Sequence, residues 1–365
     1  MMKRREFLLS GLGCVLGTSW LRALQRSDFD GACAALVSAI EAGQVHSGVV
    51  WVRRGETTFS YAGGKADSDD AVFLLASISK PISVAAFMTL YDAGEVELTD
   101  PVSKFIPEFR GNGRESILVR QLLTHVSGLP DQLPENATLR ARHAPLSEFV
   151  ERAIRTPLQF VPGSRYGYSS MAILLVSEIA RRITRKSFAE LVDETVYRPL
   201  GMRHSAMGVG HLDWRAAQRC QVEQAAPESG AGDPTTRDWD WNSSYWRHLG
   251  APWGGAHGSA PDVGRFLHEF LHPSGSIVKA ETARLMIRNH NRTGLRSRGL
   301  GFDVGARLGP ENRDNTFGHT GSTGTLCWAD PQSDTTCVVL TTLPARAVSP
   351  HPRDLVSQAV ARSVG

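Results

Sequence analysis

Residues 73–81 read Phe73-Leu74-Leu75-Ala76-Ser77-Ile78-Ser79-Lys80-Pro81. Within them Ser77 and Lys80 form a Ser-x-x-Lys box. On a helix, positions three apart share a face, so the Lys80 ammonium comes to lie beside the Ser77 hydroxyl. A serine hydroxyl is a poor nucleophile until a neighbour takes its proton or stabilises its alkoxide. The pair alone is weak, because both residues are common. Its surroundings make it specific. A helical run from Ile82 to Tyr91 follows and stops at Asp92-Ala93-Gly94, with Gly94 placed as a C-terminal cap. A second box, Tyr168-Ser169-Ser170, follows Pro162-Gly163-Ser164-Arg165-Tyr166-Gly167 and precedes an apolar run from Met171 to Ala180. A third, His319-Thr320-Gly321, sits in Gly318–Gly324 ahead of a hairpin pattern. Gln121-Leu122-Leu123-Thr124-His125-Val126-Ser127-Gly128-Leu129-Pro130 lies between the first two.

With these stretches in place, the chain resembles the class C β-lactamase-related serine hydrolases over roughly residues 28–345. That superfamily also holds D,D-carboxypeptidases, D-aminopeptidases and lactamase-fold esterases. Ser-x-x-K with a partner box and a K-T-G-like box is a recognised mechanistic set. The resemblance implies an α/β (α+β) fold of β-lactamase/transpeptidase type: an antiparallel sheet flanked by helices, with an inserted all-helical domain. Residues 27–82 and 211–365 would form the discontinuous α/β domain and residues 83–210 the helical one. The pattern along the chain agrees. Strand-like segments at Gly48–Val52 and Thr57–Ala62 flank a turn at Arg53–Glu56, strands dominate from Leu300 to Leu343, and helical periodicity fills the middle. A helix over 28–43 and another from Ser259 through Leu271, with Ser259 as its N-cap, complete the reading.

The resemblance also assigns roles. Ser77 is the expected nucleophile, at a helix start where backbone N–H groups favour a developing anion. Lys80 lowers the cost of removing its proton. Tyr168 is the second proton carrier: its phenol, biased toward the anion by the lysine, would act as the base that takes the Ser77 proton on attack and returns one to the leaving group. The family pattern has an aromatic residue two before the catalytic tyrosine, which selects Tyr168 over Tyr166. The N–H groups of Ser77 and Ser322 would form the oxyanion hole. Ser170, His319, Thr320 and Gly321 would meet the substrate, with Gly321 admitting it close to the backbone. His125 reads as structural, fixing a turn. The implied reaction is hydrolysis of an ester, D-amino-acid peptide or β-lactam through a Ser77 acyl-enzyme. The alternative is a non-catalytic penicillin-fold module that binds muropeptides or a protein partner.

Two positions depart from the class C pattern. Ser170 stands where Tyr-x-Asn has asparagine, and a hydroxyl offers one donor where an amide offers two. His319 stands where Lys-Thr-Gly has lysine, exchanging a permanent charge for a group that titrates near neutrality. Both argue against an efficient cephalosporinase. If a protonated His319 held a substrate carboxylate, affinity would fall as pH rose through its pKa.

Among the 365 residues, 41% are hydrophobic and the net charge is +3. The dispersed basic residues form no footprint for nucleic acid. No metal-ligand spacing is visible, and neither metal nor cofactor is expected. The expected partner is a small-molecule or peptide substrate. Lys3-Arg4-Arg5-Glu6-Phe7-Leu8-Leu9 before an apolar stretch to Trp20 resembles a twin-arginine export signal over residues 1–26, pointing to an exported, periplasmic or extracytoplasmic protein. Beyond it no segment reaches the ~18 apolar residues of a membrane span. Cys14 raises the further reading of a lipid anchor. Cys327 and Cys337 flank the turn Asp330–Asp334; if their strands pair symmetrically about Gln332, the two face each other and could form a disulfide. The stretch 213–255 holds five of the eight tryptophans, either as a substrate-binding wall or as packing for the loop.

Overall fold

A computed structural model describes residues 26–305 and 313–364. The export-like segment and Cys14 lie outside the described residues. Strands β1 (Ser47–Arg54) and β2 (Thr57–Gly64) form the expected hairpin, paired from Ser47↔Gly64 to Arg54↔Thr57. The other strands are β3 (Phe73–Leu74), β4 (Ala206–Met207), β5 (Ala256–Gly258), β6 (Asp303–Val304), β7 (Phe317–Gly321), β8 (Thr325–Asp330) and β9 (Thr335–Thr341). Six of them make an antiparallel sheet in the order β2-β1-β9-β8-β7-β6, so the first hairpin is stitched to the last strand. A small sheet, β3-β5-β4, joins the segment before Ser77 to two distant parts of the chain.

Period-two alternation gives the large sheet two apolar faces. Val50, Val52, Leu326, Trp328 and Val339 pack with the helices Asp30–Glu41 and Pro352–Val364. Val49, Trp51, Ala329, Val338 and Leu340 face the main core, against the helix Ala260–Leu271. The helices Ser79–Asp92 and Ser170–Thr184 are buried almost all round. Helices of that kind lie at the centre of a core rather than on its surface. Gly94 follows the first of them at φ +76°, its N–H on the Tyr91 carbonyl at 3.0 Å, as a glycine stop requires.

Two local expectations need correction. Ser259 does precede its helix, but its hydroxyl makes no capping bond; Asp262 in the first turn instead accepts from His204 N–H and the Ser205 hydroxyl. The cysteines are not opposed either. The pairs are Cys327↔Val338 and Trp328↔Cys337, one step from the symmetric register. The four-residue loop 331–334 makes an even count, and a slip of one residue turns a side chain to the other face. Cys327 joins the main core, Cys337 joins the cluster behind the sheet, and both are free thiols.

The helix Ala260–Leu271 comes close to the sheet at one glycine. A Cβ on Gly264 would lie 2.3 Å from the Trp51 ring. Replacing glycine by alanine within a helix is worth about 1 kcal/mol in propensity, whereas overpacking a rigid neighbour costs about 1–3 kcal/mol. Gly264→Ala is therefore expected to destabilise, by about 1 kcal/mol net, in urea unfolding followed by circular dichroism. A raised midpoint would show that the ring yields to the methyl.

Candidate active site

Ser77 sits in a single 3₁₀ turn, Ala76–Ile78, immediately before the helix Ser79–Asp92. The expected helix start is thus one tight turn earlier. Ala76 adopts φ +48°, a conformation that L residues rarely take and that functional turns often hold. Hydroxyls keep it there. Thr323 Oγ1 donates to the Leu74 carbonyl at 2.7 Å and Thr325 Oγ1 to the Leu75 carbonyl at 2.9 Å. Ser79 Oγ donates to the Ala76 carbonyl at 2.6 Å and accepts from Ala256 N–H at 2.9 Å.

Lys80 lies one turn on, only 1% exposed, with Nζ 3.1 Å from Ser77 Oγ and 2.8 Å from the Trp253 carbonyl. Burial disfavours its charge, Asp131 works the other way and Arg298 reinforces the burial, so its pKa falls to about 7. The Tyr168 ring stacks under this ammonium at 4.7 Å. Its pKa moves opposite to the sequence expectation. Burial pushes it well above the ordinary tyrosine value, and the nearby Arg298 and a hydrogen bond with Ser77 offset only part of that. At neutral pH the phenol keeps its proton and the amine readily loses one.

His125 holds Tyr168 from behind. Its ring lies 4.6 Å from the phenol ring, its Nδ1 accepts from Ser169 N–H at 3.2 Å, and its carbonyl accepts from Gly167 N–H at 2.9 Å. Fully buried among cations, it is held well below the usual histidine range and is neutral. These contacts anchor the turn that carries the second box.

The third box runs along β7. Among the described residues, the strand beyond Gly318 pairs with β8 alone, so Thr320 and Gly321 form an edge facing the cavity. His319 is 2% exposed and has two partners: Arg298 Nη2 at 2.8 Å from Nε2, and the Thr320 carbonyl at 2.7 Å from Nδ1. Arginine can only donate, so Nε2 accepts and Nδ1 carries the proton. Burial and then Arg298 lower the His319 pKa to about 3. The imidazole is neutral, and the idea of a charged His319 gripping a carboxylate is overturned by the guanidinium beside it. Gly321 has a different reason from the one expected. A Cβ there would lie 2.1 Å from Thr325 Oγ1 and 2.5 Å from the Leu75 carbonyl. The glycine lets β7 close onto the Ser77 turn; the backbone it bares toward the cavity comes second.

Ser170 is buried and already engaged. Its hydroxyl donates to Asp131 Oδ1 at 2.6 Å and its N–H to the same oxygen at 3.0 Å. A carboxylate thus enters the cavity where the class C pattern has an amide. Asp131, Arg298 and Asp303 escaped the sequence reading because each lies in a loop or a two-residue strand, with no periodic pattern to mark it. Burial opposes the Asp303 charge, but Arg298 foremost, and Arg296 with it, hold its pKa at about 2.

Ser77, Tyr168, Ser170, His319, Thr320, Gly321 and Ser322 all line one cavity of about 370 Å³. Lys80 lies behind this lining, in contact with the Ser77 hydroxyl. Trp241, Trp246 and Trp253 line the cavity and are also 4–6% exposed, so the rings that wall the cavity also pack the stretch onto the body. The Arg140 guanidinium stiffens that wall, stacked 4.2 Å from the Trp246 ring. Trp214 and Trp239 do not reach the cavity.

Comparison with known proteins bears on the family and the fold. The family model described as Beta-lactamase matches residues 33–361. Esterase EstB of Burkholderia gladioli is 30% identical over 312 residues, covering 76% of this chain and 78% of EstB. Among solved structures, the D-amino acid amidase of Ochrobactrum anthropi SV3 superposes with a TM-score of 0.75 at 20% identity, over 93% of this chain and 99% of the amidase. EstCE1, described as a hydrolase with promiscuous acyltransferase activity, gives 0.72 at 22% identity, over 92% and 98%. The fold and the family model define an enzyme of the penicillin-binding-protein-like serine hydrolase class. The chain belongs to the Beta-lactamase family within it.

A neutral His319 has a measurable consequence. Between about pH 5 and 8 the imidazole carries no charge to lose, so the KM of a carboxylate-bearing substrate should show no step from this residue. Steady-state kinetics of Gln and wild-type proteins at position 319 would test it. A rise of KM near pH 6.5 (about the ordinary histidine pKa) that disappears in His319→Gln would overturn the assignment.

Proposed function

We propose that this chain hydrolyses esters, and less readily D-amino-acid peptides, through a Ser77 acyl-enzyme. The observation that carries the reading is the Lys80 amine, 3.1 Å from Ser77 Oγ and buried so that it is largely deprotonated just above neutrality. Lys80 takes the Ser77 proton as Oγ attacks the carbonyl carbon. The N–H groups of Ser77 and Ser322 receive the oxyanion, where fixed donors act most strongly. Tyr168 hands its proton to the leaving oxygen and regains one from the Lys80 ammonium. Water then repeats the sequence on the acyl-enzyme. This division of labour differs from the sequence expectation, which made Tyr168 the base; a buried phenol is the costlier group to ionise.

Three features favour esters over β-lactams and amides. Ser170 has given its only hydroxyl proton to Asp131, so it cannot donate to an amide side chain. His319 brings no charge of its own toward a lactam carboxylate. Esters expel a better leaving group and need less help with proton delivery. The 30% identity with an esterase supports the same choice.

An aryl ester and a simple penicillin, each followed by intact mass and turnover, test the proposal. Wild type should turn the ester over, and its kcat/KM should rise with pH to a plateau, with an acid limb near 7 as Lys80 loses its proton. Ser77→Ala and Lys80→Met should lower kcat/KM by about 10³-fold or more, and Tyr168→Phe by about 10²-fold or more. Turnover surviving Ser77→Ala would sink the reading. A stable penicilloyl adduct with no ester turnover would move the chain to the peptidase branch.

A further inference from the structure

The class C pattern carries a lysine at the head of the third box, and the neutral His319 does not replace its charge. A permanent cation nevertheless stands one hydrogen bond behind it. The Arg298 guanidinium is fully buried. Its Nη2 donates to His319 Nε2 at 2.8 Å and to the Gly301 carbonyl at 3.0 Å, and its Nη1 meets Asp303 Oδ1 at 2.5 Å. Its Cζ lies 5.7 Å from the Tyr168 ring, the ring that also carries the Lys80 ammonium. Arginine does not deprotonate in proteins.

We propose that Arg298 is a positioning residue that supplies, from behind His319, the positive charge a lysine would carry at the head of the box, with His319 as a hydrogen-bonded spacer between that charge and the substrate edge. The count of charges supports it. Asp303 Oδ1 also accepts from Arg296 at 2.8 Å, so two guanidinium groups share one carboxylate and the cluster keeps a net positive charge. The hydrogen bonds give the cluster its direction. Because Nε2 accepts from Arg298, the proton sits on Nδ1 and ties the ring to the Thr320 carbonyl. The Arg298 donor therefore also fixes the tautomer and orients the strand edge.

Besides the Trp253 carbonyl, the titratable and charged groups facing Lys80 among the described residues are these. Ser77 and Tyr168 touch it, Asp131 and Asp303 stabilise its ammonium, Arg298 destabilises it, and His319 and His125 stand near as neutral rings. Tyr168 feels Arg298 in the same sense, toward its deprotonated form. A cation behind His319 thus biases both proton carriers toward releasing protons, which is the direction base catalysis needs.

The inference rests on the Ser77, Lys80 and Tyr168 reading, and the test separates the two. Arg298→Gln removes the charge and keeps a donor toward His319, Arg298→Lys keeps the charge, and Asp303→Asn removes the opposing carboxylate. The acid limb of kcat/KM for an aryl ester should move up by about one pH unit in Arg298→Gln, lowering kcat/KM at about pH 6 roughly tenfold. It should stay in place in Arg298→Lys and move down in Asp303→Asn. Melting curves identify folded variants; if Arg298→Gln does not fold, the downward shift in Asp303→Asn decides. A folded Arg298→Gln or Asp303→Asn with lowered turnover and an unmoved limb would reduce Arg298 to a structural residue and overturn the proposal. Turnover that survives Ser77→Ala would instead remove the catalytic reading beneath it.

Discussion

The site depends on keeping a lysine amine out of water. Burying an ammonium without a carboxylate partner is costly, and the group answers by giving up its proton more easily. Lys80 has a serine hydroxyl and a backbone carbonyl for company but, among the described residues, no direct ion pair. That environment exists because the helix Ser79–Asp92 is buried almost all round, with the Trp253 carbonyl against Lys80 in its first turn. The central position of this helix, the apolar sequence that follows Lys80 and the protonation of the amine are one fact seen at three levels.

The two departures from the class C boxes follow a common logic. Where an asparagine is missing, Asp131 from another loop engages Ser170 and brings its own oxygens into the cavity. Where a lysine is missing, a buried arginine from the segment before β6 stands behind the histidine. In both places the polar demand of the site is met by a residue distant in sequence. A box read in isolation shows a loss; the folded site shows a rearrangement.

This explains what the sequence made legible. Ser77, Lys80 and Tyr168 were readable because each sits at the edge of a strongly patterned helix and within a recognisable spacing. The β1–β2 hairpin and an antiparallel sheet built from both ends of the chain were readable from alternation and turn residues; the number and order of its strands were not. Asp131, Arg298 and Asp303 were not, since their roles come from loops whose positions are set by tertiary packing. The register at Cys327 and Cys337 was missed by a single residue, because loop length alone decides it and the turn residues suit more than one length. The protonation of Tyr168 and His319 was misjudged for a related reason: burial, invisible in a motif, outweighs the neighbour that the motif names.

The hydroxyl clamps on the Ser77 turn have a consequence for the making of the protein. Thr323 and Thr325 reach back across 249 and 250 residues to the carbonyls of Leu74 and Leu75. The first hairpin likewise finds its sheet partner only in β9. A growing chain therefore holds its nucleophile from early in synthesis but has no means to set it until the C-terminal strands have been made. The order of synthesis itself acts as a safety catch: the hydrolase is armed last, when the whole chain is ready to fold around it.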